Sequence, residues 1–232
     1  MKAYKLTDSD GRTKLETQWG ENIAHSAKGQ NKHLCSDGWI HFYTDTRLAV
    51  VINPSHADFH TPLLWECETS GKHIHEPLKS GCKTLTTIRK IPLPEISLTQ
   101  KIAFAILSAK EVYFDSKWVK WADGWLSGED RSRKAALAAA LDAADVASIN
   151  AYAALAAARA VFDAASIDAY VAHAALDAAS IASIDAYAAR AARDAASIDA
   201  YVAHAADAAA DATARDKTID FVTLMDKAMT YK

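Results

Sequence analysis

The sequence predicts an α+β protein, with a small N-terminal domain of mixed sheet and helix followed by an alanine-rich long-helix bundle or coiled-coil-like tail. Three observations carry this. Short alternating or β-branched segments, punctuated by turn residues, fill the N-terminal part. All five prolines lie at or before Pro94 and all eight glycines at or before Gly128, so the rest of the chain lacks helix breakers. From Ala135 to Ala214 there are 40 alanines in 80 residues, and alanine is the best helix former. These shifts divide the chain into an α+β domain over 1–114, a Trp-rich connecting helix over 115–134 and a helical repeat region over 135–232.

Along the first domain, Met1–Thr7 alternates as a strand does, and Asp8-Ser-Asp-Gly11 supplies turn chemistry. Residues 12–34 are polar and carry no clear period. Trp39–Tyr43 reads as a strand with Ile40 and Phe42 on one face and Trp39, His41 and Tyr43 on the other. Asp45–Ile52 suits a short helix stopped before Pro54. Pro62–Thr69 reads as a strand, with Gly71 in the following turn and Lys72–His75 as a hairpin partner. Lys83–Ile91 is β-branched and reads as a further strand. Ser97-Leu-Thr-Gln100 is a capping box opening a helix from Leu98 to about Tyr113, with Ile102, Ala105, Ile106 and Ala109 on one face. Asp115 can cap a second helix, on which Trp118, Trp121 and Trp125 form a stripe that docks it on a core.

The alanine-rich region repeats one motif four times: Ser148–Tyr152, Ser166–Tyr170, Ser183–Tyr187 and Ser197–Tyr201, at offsets of 18, 17 and 14 residues. Fourteen residues make two heptads, and the extra three or four are insertions that a continuous helix absorbs. Within each copy Ile and Tyr lie three apart, on one face. A single helix of 80 residues would be roughly 120 Å long and would leave that face wet. A helical hairpin or bundle, completed by homo-oligomerisation, is therefore expected. The ten Asp of 135–214 face only three Arg. They read as a solvated face that keeps the bundle soluble, in preference to a mimic of DNA phosphates.

Charge excludes little else. The formal net charge of −3 marks neither a nucleic-acid binder nor a polyanion. No segment is apolar enough to span a membrane, and Met1–Asp10 does not read as a signal peptide. Three cysteines, an odd number, argue against a disulfide framework and for a reducing, cytoplasmic compartment.

Several segments are similar to a family of tailed-phage and prophage proteins: Met1-Lys-Ala-Tyr-Lys5, Leu34–Tyr43, Trp65–Gly71, Lys79–Thr87, Ile91-Pro-Leu-Pro94 and Trp125–Arg131. The resemblance covers about residues 1–135. It implies a small α+β domain joined to a repetitive tail and a phage source, and it transfers no catalytic residue.

Four groups of residues invite chemistry. Trp39, His41 and Tyr43 share a strand face, and Lys79, Lys83, Arg89 and Lys90 form a basic set nearby in sequence. Aromatic rings stack flat ligands and Lys or Arg neutralise phosphate, so this set suits a nucleotide-like ligand. Cys67, His73, His75 and Cys82 have zinc-ligand chemistry but lack a short Cys-x2–4-Cys knuckle, and the alternative is a buried Cys67 with surface histidines. His56 and His60 are metal-spaced only if helical. Cys35 and His41 could form a nucleophile and base, against a plain core cysteine.

The function expected is that of a phage accessory protein acting by non-enzymatic binding. It would sequester a nucleotide-like host-defence signal or block a host protein, in the host cytoplasm, with no cofactor, metal, membrane or nucleic acid. The alternatives are a nucleotide-directed or metal-assisted enzyme in the N-terminal domain and a structural, oligomerising protein.

Overall fold

A computed structural model describes residues 2–144, 149–176, 181–213 and 218–232, with the side chains of Leu15, Ile149, Ser166, 168–193 and Thr213 outside the description. The chain is mixed α+β, with an N-terminal sheet and C-terminal helices. It forms two compact units, Met1–Ile96 with Asp220–Met225, and Ser97–Ile219 with Asp226–Lys232. The division falls ahead of the helix that begins at Leu98, whereas the sequence reading assigned that helix to the sheet domain. Among the described residues, no helix is long and apolar enough to cross a membrane.

The first unit is built on a long antiparallel hairpin of β6 (Leu63–His75) and β7 (Ser80–Ile91). β1 (Lys2–Thr7) pairs with the free edge of β6. The other edge of β7 is shared by β5 (Ile40–Phe42), opposite Ser80–Cys82, and β4 (Ile23–Ser26), opposite Thr84–Thr87. Tyr43, just past β5, exchanges two backbone hydrogen bonds of 2.8 Å with Tyr4 of β1. Backbone pairing thus runs from β1 through β6, β7 and β5 back to β1. The Tyr4–Tyr43 bridge links β1 to the end of β5, while β4 pairs with β7 alone among the described strands.

The hairpin differs from the sequence expectation at one point. Gly71 does not turn the chain, and Lys72–His75 is not a separate partner strand. β6 runs through to His75 with a register shift between Ser70 and His73, and Gly71 takes φ +77° there. Only glycine adopts that angle without strain, and a bulge uses it to add residues without reversing the strand. The reversal comes later, where the Glu76 amide donates to the Lys79 carbonyl at 2.9 Å. The polar stretch after β1 holds β2 (Arg12–Thr13) and β3 (Thr17–Gln18), joined by a 3-10 turn over Lys14–Glu16, and then β4. These strands are too short and polar to show a period of two.

Ala3, Trp19, Phe42, Trp65, Cys67, Cys82 and Leu85 form the core of this unit. Each large apolar side chain buried this way contributes about 2 kcal/mol. The short helices α1 (Thr46–Val51) and α2 (Asn53–His56) follow β5, with Asp45 capping α1 by accepting from the Arg47 and Leu48 amides.

In the second unit, α3 (Leu98–Lys110) opens on the expected capping box, with both reciprocal hydrogen bonds formed. Every residue from Ile102 to Ala109 is buried, so α3 is apolar all round where the sequence suggested one face. A helix of that kind is core. It packs against α6 (Ile149–Leu176) and α7 (Ile181–Thr213), which also pack along each other. α4 (Ser116–Ser127), capped by Asp115, ends at Gly128 in the left-handed conformation, φ +83°. Trp118 is fully buried and its indole N–H donates to the Ala154 carbonyl at 3.2 Å. Trp125 is buried with it, while Trp121, the third residue of the stripe, is only half-buried. α5 (Arg133–Ala144) packs on α6, and of α8 (Phe221–Ala228) the residues up to Met225 belong to the first unit.

The alanine-rich stretch is helical wherever it is described. Ala151, Ala153, Ala154 and Ala156–158 are all buried, as small side chains allow when helices approach closely. In the fourth repeat copy Ile198 is buried and Tyr201 half-buried, while Tyr152 of the first copy is exposed. Ser148 and the Ile149 side chain of the first copy, the side chains of Ser166 and 168–170 of the second and those of the third lie outside the described residues.

Candidate ligand cleft

The alternation of β5 and its flanks sorts its side chains in part. Phe42 enters the core, while Trp39, His41 and Tyr43 line an open cleft of about 1000 Å³ in the first unit, and half-buried Ile40 lines it as well. Lys79, from the turn before β7, lines the same cleft, and so do Lys5 of β1 and Trp19, which precedes β4. Of the predicted ligand set, Trp39, His41, Tyr43 and Lys79 therefore come together.

Lys83 stands one layer back. Its ammonium lies 4.3 Å from the centroid of the Trp39 ring and donates to the Gly38 carbonyl at 2.6 Å. It therefore braces Trp39 and does not line the cleft. Arg89 is elsewhere: it faces Glu66 across the β6–β7 hairpin at 2.7 Å, largely in solvent. Lys90, opposite Trp65 in the same hairpin, is exposed. Proximity in sequence gathered these basic residues, but their spread along a twisted strand separates them.

His41 is held by an Nε2–H donated to the Leu34 carbonyl at 2.6 Å. Burial pushes its pKa below the ordinary histidine value, and the positive charges of Lys79 and Lys5 add to that. The imidazole is therefore neutral at physiological pH. Tyr43 stacks on His56 with ring centroids 6.4 Å apart. The Trp39 indole Nε1 is buried without a hydrogen-bond partner. Trp19 donates to Thr13 Oγ1 at 3.1 Å and meets His25 edge-on, centroids 4.6 Å apart.

Lys5 is the residue the sequence reading missed. Its side chain is only 7% exposed, its ammonium donates to the His41 carbonyl at 3.0 Å and it lies 4.7 Å from the Trp19 ring centroid. Burial lowers its pKa to about 8. Lys5 shares a strand face with Ala3 and Thr7, both fully buried, although in sequence Tyr4 and Leu6 make the opposite face the more apolar one.

The metal constellation does not assemble. Cys67 and Cys82 lie in the core, where burial pushes their thiols up to about 12 and about 11, the opposite of what a thiolate ligand needs. His73 bonds Thr69 Oγ1 and His75 bonds Ser80 Oγ, each at 2.8 Å. Among the described residues no group of three His, Cys, Asp or Glu is placed to hold a metal ion. α2 ends at His56 and Asp58 has φ +55°, so His56 and His60 do not face one another on a helix. Cys35 is exposed and accepts a hydrogen bond from the Lys79 ammonium at 3.0 Å. The His41 Nε2 points instead at Leu34, so the suggested nucleophile and base are not paired through that nitrogen.

The site is thus a wide cleft with aromatic and cationic walls beside an antiparallel sheet. No protein-family model, curated protein or solved structure matched the chain.

Proposed function

We propose that this protein acts by binding, and that the cleft holds a nucleotide-like ligand with a flat ring and an anionic group. The observation that carries the reading is the convergence of Trp19, Trp39, Lys5 and Lys79 on one cavity. Its volume of about 1000 Å³ matches pockets that enclose small organic ligands. His41 gives its Nε2–H to the Leu34 carbonyl and Cys35 accepts from Lys79, contacts that favour binding over chemistry. With the resemblance to phage proteins, the reading becomes an accessory protein that withdraws a host signalling nucleotide. Native mass spectrometry of the purified protein, followed by denaturation, tests this. A released nucleotide-like mass supports it; a clean apo mass from wild type, with no nucleotide taken up on incubation, contradicts it.

A second reading concerns the tail, as a coiled-coil-like element that pairs two copies of the chain. α5 exposes Leu137 and Leu141, one turn apart. It has no acid in its first turn and no base in its last, and carries Lys134 and Asp142 at those ends. That is the reverse of what the helix dipole favours. Antiparallel pairing of two α5 helices sets the basic end of each against the acidic end of the other, a self-complementary two-fold contact. Sedimentation velocity on wild type and Leu141→Asp tests it: a dimer lost in the variant is expected, and a monomeric wild type at high concentration contradicts it.

A further inference from the structure

We infer that the Lys5 ammonium is the seat of the ligand's anionic group, that this group is a phosphate monoester, and that its binding is coupled to protonation of Lys5. The inference rests on the binding function proposed for the cleft.

The argument begins with what surrounds Lys5. Its ammonium meets the His41 carbonyl and the face of Trp19. Among the described residues it forms no ion pair. The titratable groups that act on it are the thiols of Cys67 on β6 and Cys82 on β7. Both are held neutral by burial, so neither is a counter-ion. A buried cation without an internal anion is costly, yet this one lies on the wall of an open cleft. Proteins place such a charge where a partner's opposite charge will meet it.

The neighbouring charges point to a group carrying more than one negative charge. The ammonium groups of Lys5 and Lys79 both line the cleft, and both disfavour a charged His41 beside them. Carboxylates do line the cleft, at Glu16 and Asp37. Glu16 is engaged by Arg12 at 3.4 Å and largely solvated, and Asp37 is exposed. Neither acts on Lys5. A phosphate dianion beside Lys5 would supply its missing counter-charge, with Lys79 on the same cleft and the ligand's ring against Trp39.

The proton coupling follows. An amine whose pKa burial lowers to about 8 loses its charge above that pH unless an anion stabilises it. Binding above neutral pH therefore takes up a proton, and affinity falls as the pH rises past the point where free Lys5 deprotonates. A phosphate monoester loses its second proton near about pH 6, so above that the fall reports the protein.

The experiment uses AMP and adenosine as probes, followed by tryptophan fluorescence and by calorimetry in buffers of different ionisation enthalpy. The full-length protein is titrated from pH 7 to 10. AMP is expected to bind at least tenfold more tightly than adenosine at pH 7, with most of that advantage lost by pH 9.5 and net proton uptake at pH 8.5. Lys5→Met should remove the advantage of AMP over adenosine, and its unchanged circular dichroism would confirm the fold. Lys5→Arg should keep the advantage up to pH 10, because arginine stays charged. An advantage that persists to pH 10 in wild type, or survives Lys5→Met, overturns the assignment while leaving the cleft as a ring-binding site. Failure of both probes to bind overturns the inference together with the nucleotide reading of the cleft.

Discussion

The Lys5 ammonium donates to the main-chain carbonyl of His41 at 3.0 Å, tying the first strand of the sheet to the strand that carries the aromatic wall of the cleft. The bond joins residues 36 positions apart and buries a charge whose other neighbours are a ring and two neutral thiols. Stability and binding therefore pull in opposite directions at this residue.

The pH dependence of folding should show it. Folded Lys5 loses its proton near pH 8, against the ordinary lysine value of 10.5. Between those values the unfolded chain holds more protons, so this group's contribution to stability rises with pH across that window. Below it, burial of the charge costs on the order of 3 kcal/mol. Urea denaturation of ligand-free protein should show wild type gaining on Lys5→Met between pH 7.5 and 10. At pH 7.5 Lys5→Met should be the more stable of the two. A constant difference across that range would mean that Lys5 titrates as an exposed lysine.

The cysteines should separate cleanly by reactivity. Cys35 is exposed, whereas Cys67 and Cys82 are buried with thiols pushed up to about 12 and about 11. Native protein treated with iodoacetamide at pH 8 should take one adduct, located at Cys35 by peptide mass spectrometry. Denatured protein should take all three. Early labelling of Cys67 would show that the sheet core opens readily.

Trp118 anchors the helical unit. It is fully buried and hydrogen-bonded to Ala154. Trp118→Ala should cost about 3 to 5 kcal/mol by cavity formation, read as a lower chemical-denaturation midpoint. Trp118→Phe should cost less, because it keeps most of the apolar volume.

Two glycines offer a paired test of backbone strain. Gly71 and Gly128 both have positive φ. A Cβ on Gly71 would lie 3.0 Å from the Lys83 Cβ, whereas one on Gly128 would meet nothing within 4 Å. Gly128→Ala should therefore cost about 1 kcal/mol, the conformational part alone. Gly71→Ala should cost more, because β6 and Lys83 must shift, and Lys83 braces Trp39. Equal losses in thermal melts would show that the bulge accommodates the methyl group.

The sequence made different parts of this molecule legible for different physical reasons. Long-period signals survived: the capping box at Ser97, the Asp115 cap, the tryptophan stripe and the alanine-rich helices depend on local backbone chemistry. The alternation at Trp39–Tyr43 was equally local, and it placed three side chains on the cleft. Readings that depended on where strands reverse or meet did less well. Gly71 is a bulge because β7 continues to pair beyond it, which no local pattern records. Arg89 was grouped with Lys79 by sequence distance, although the hairpin gives it Glu66 as a partner. Lys5 was passed over because a lysine near the start of a chain reads as solvated. Its burial follows only once closure between Tyr43 and Tyr4 encloses that end of β1.

The central claim is that the cleft beside Trp39 binds an anionic flat-ring ligand, and a calorimetric titration of AMP into wild type and Trp39→Ala at pH 7 tests it most directly. Saturable one-site binding to wild type, weakened at least tenfold in a folded Trp39→Ala variant, is the predicted result. No binding to wild type, or equal binding to both proteins, would contradict it.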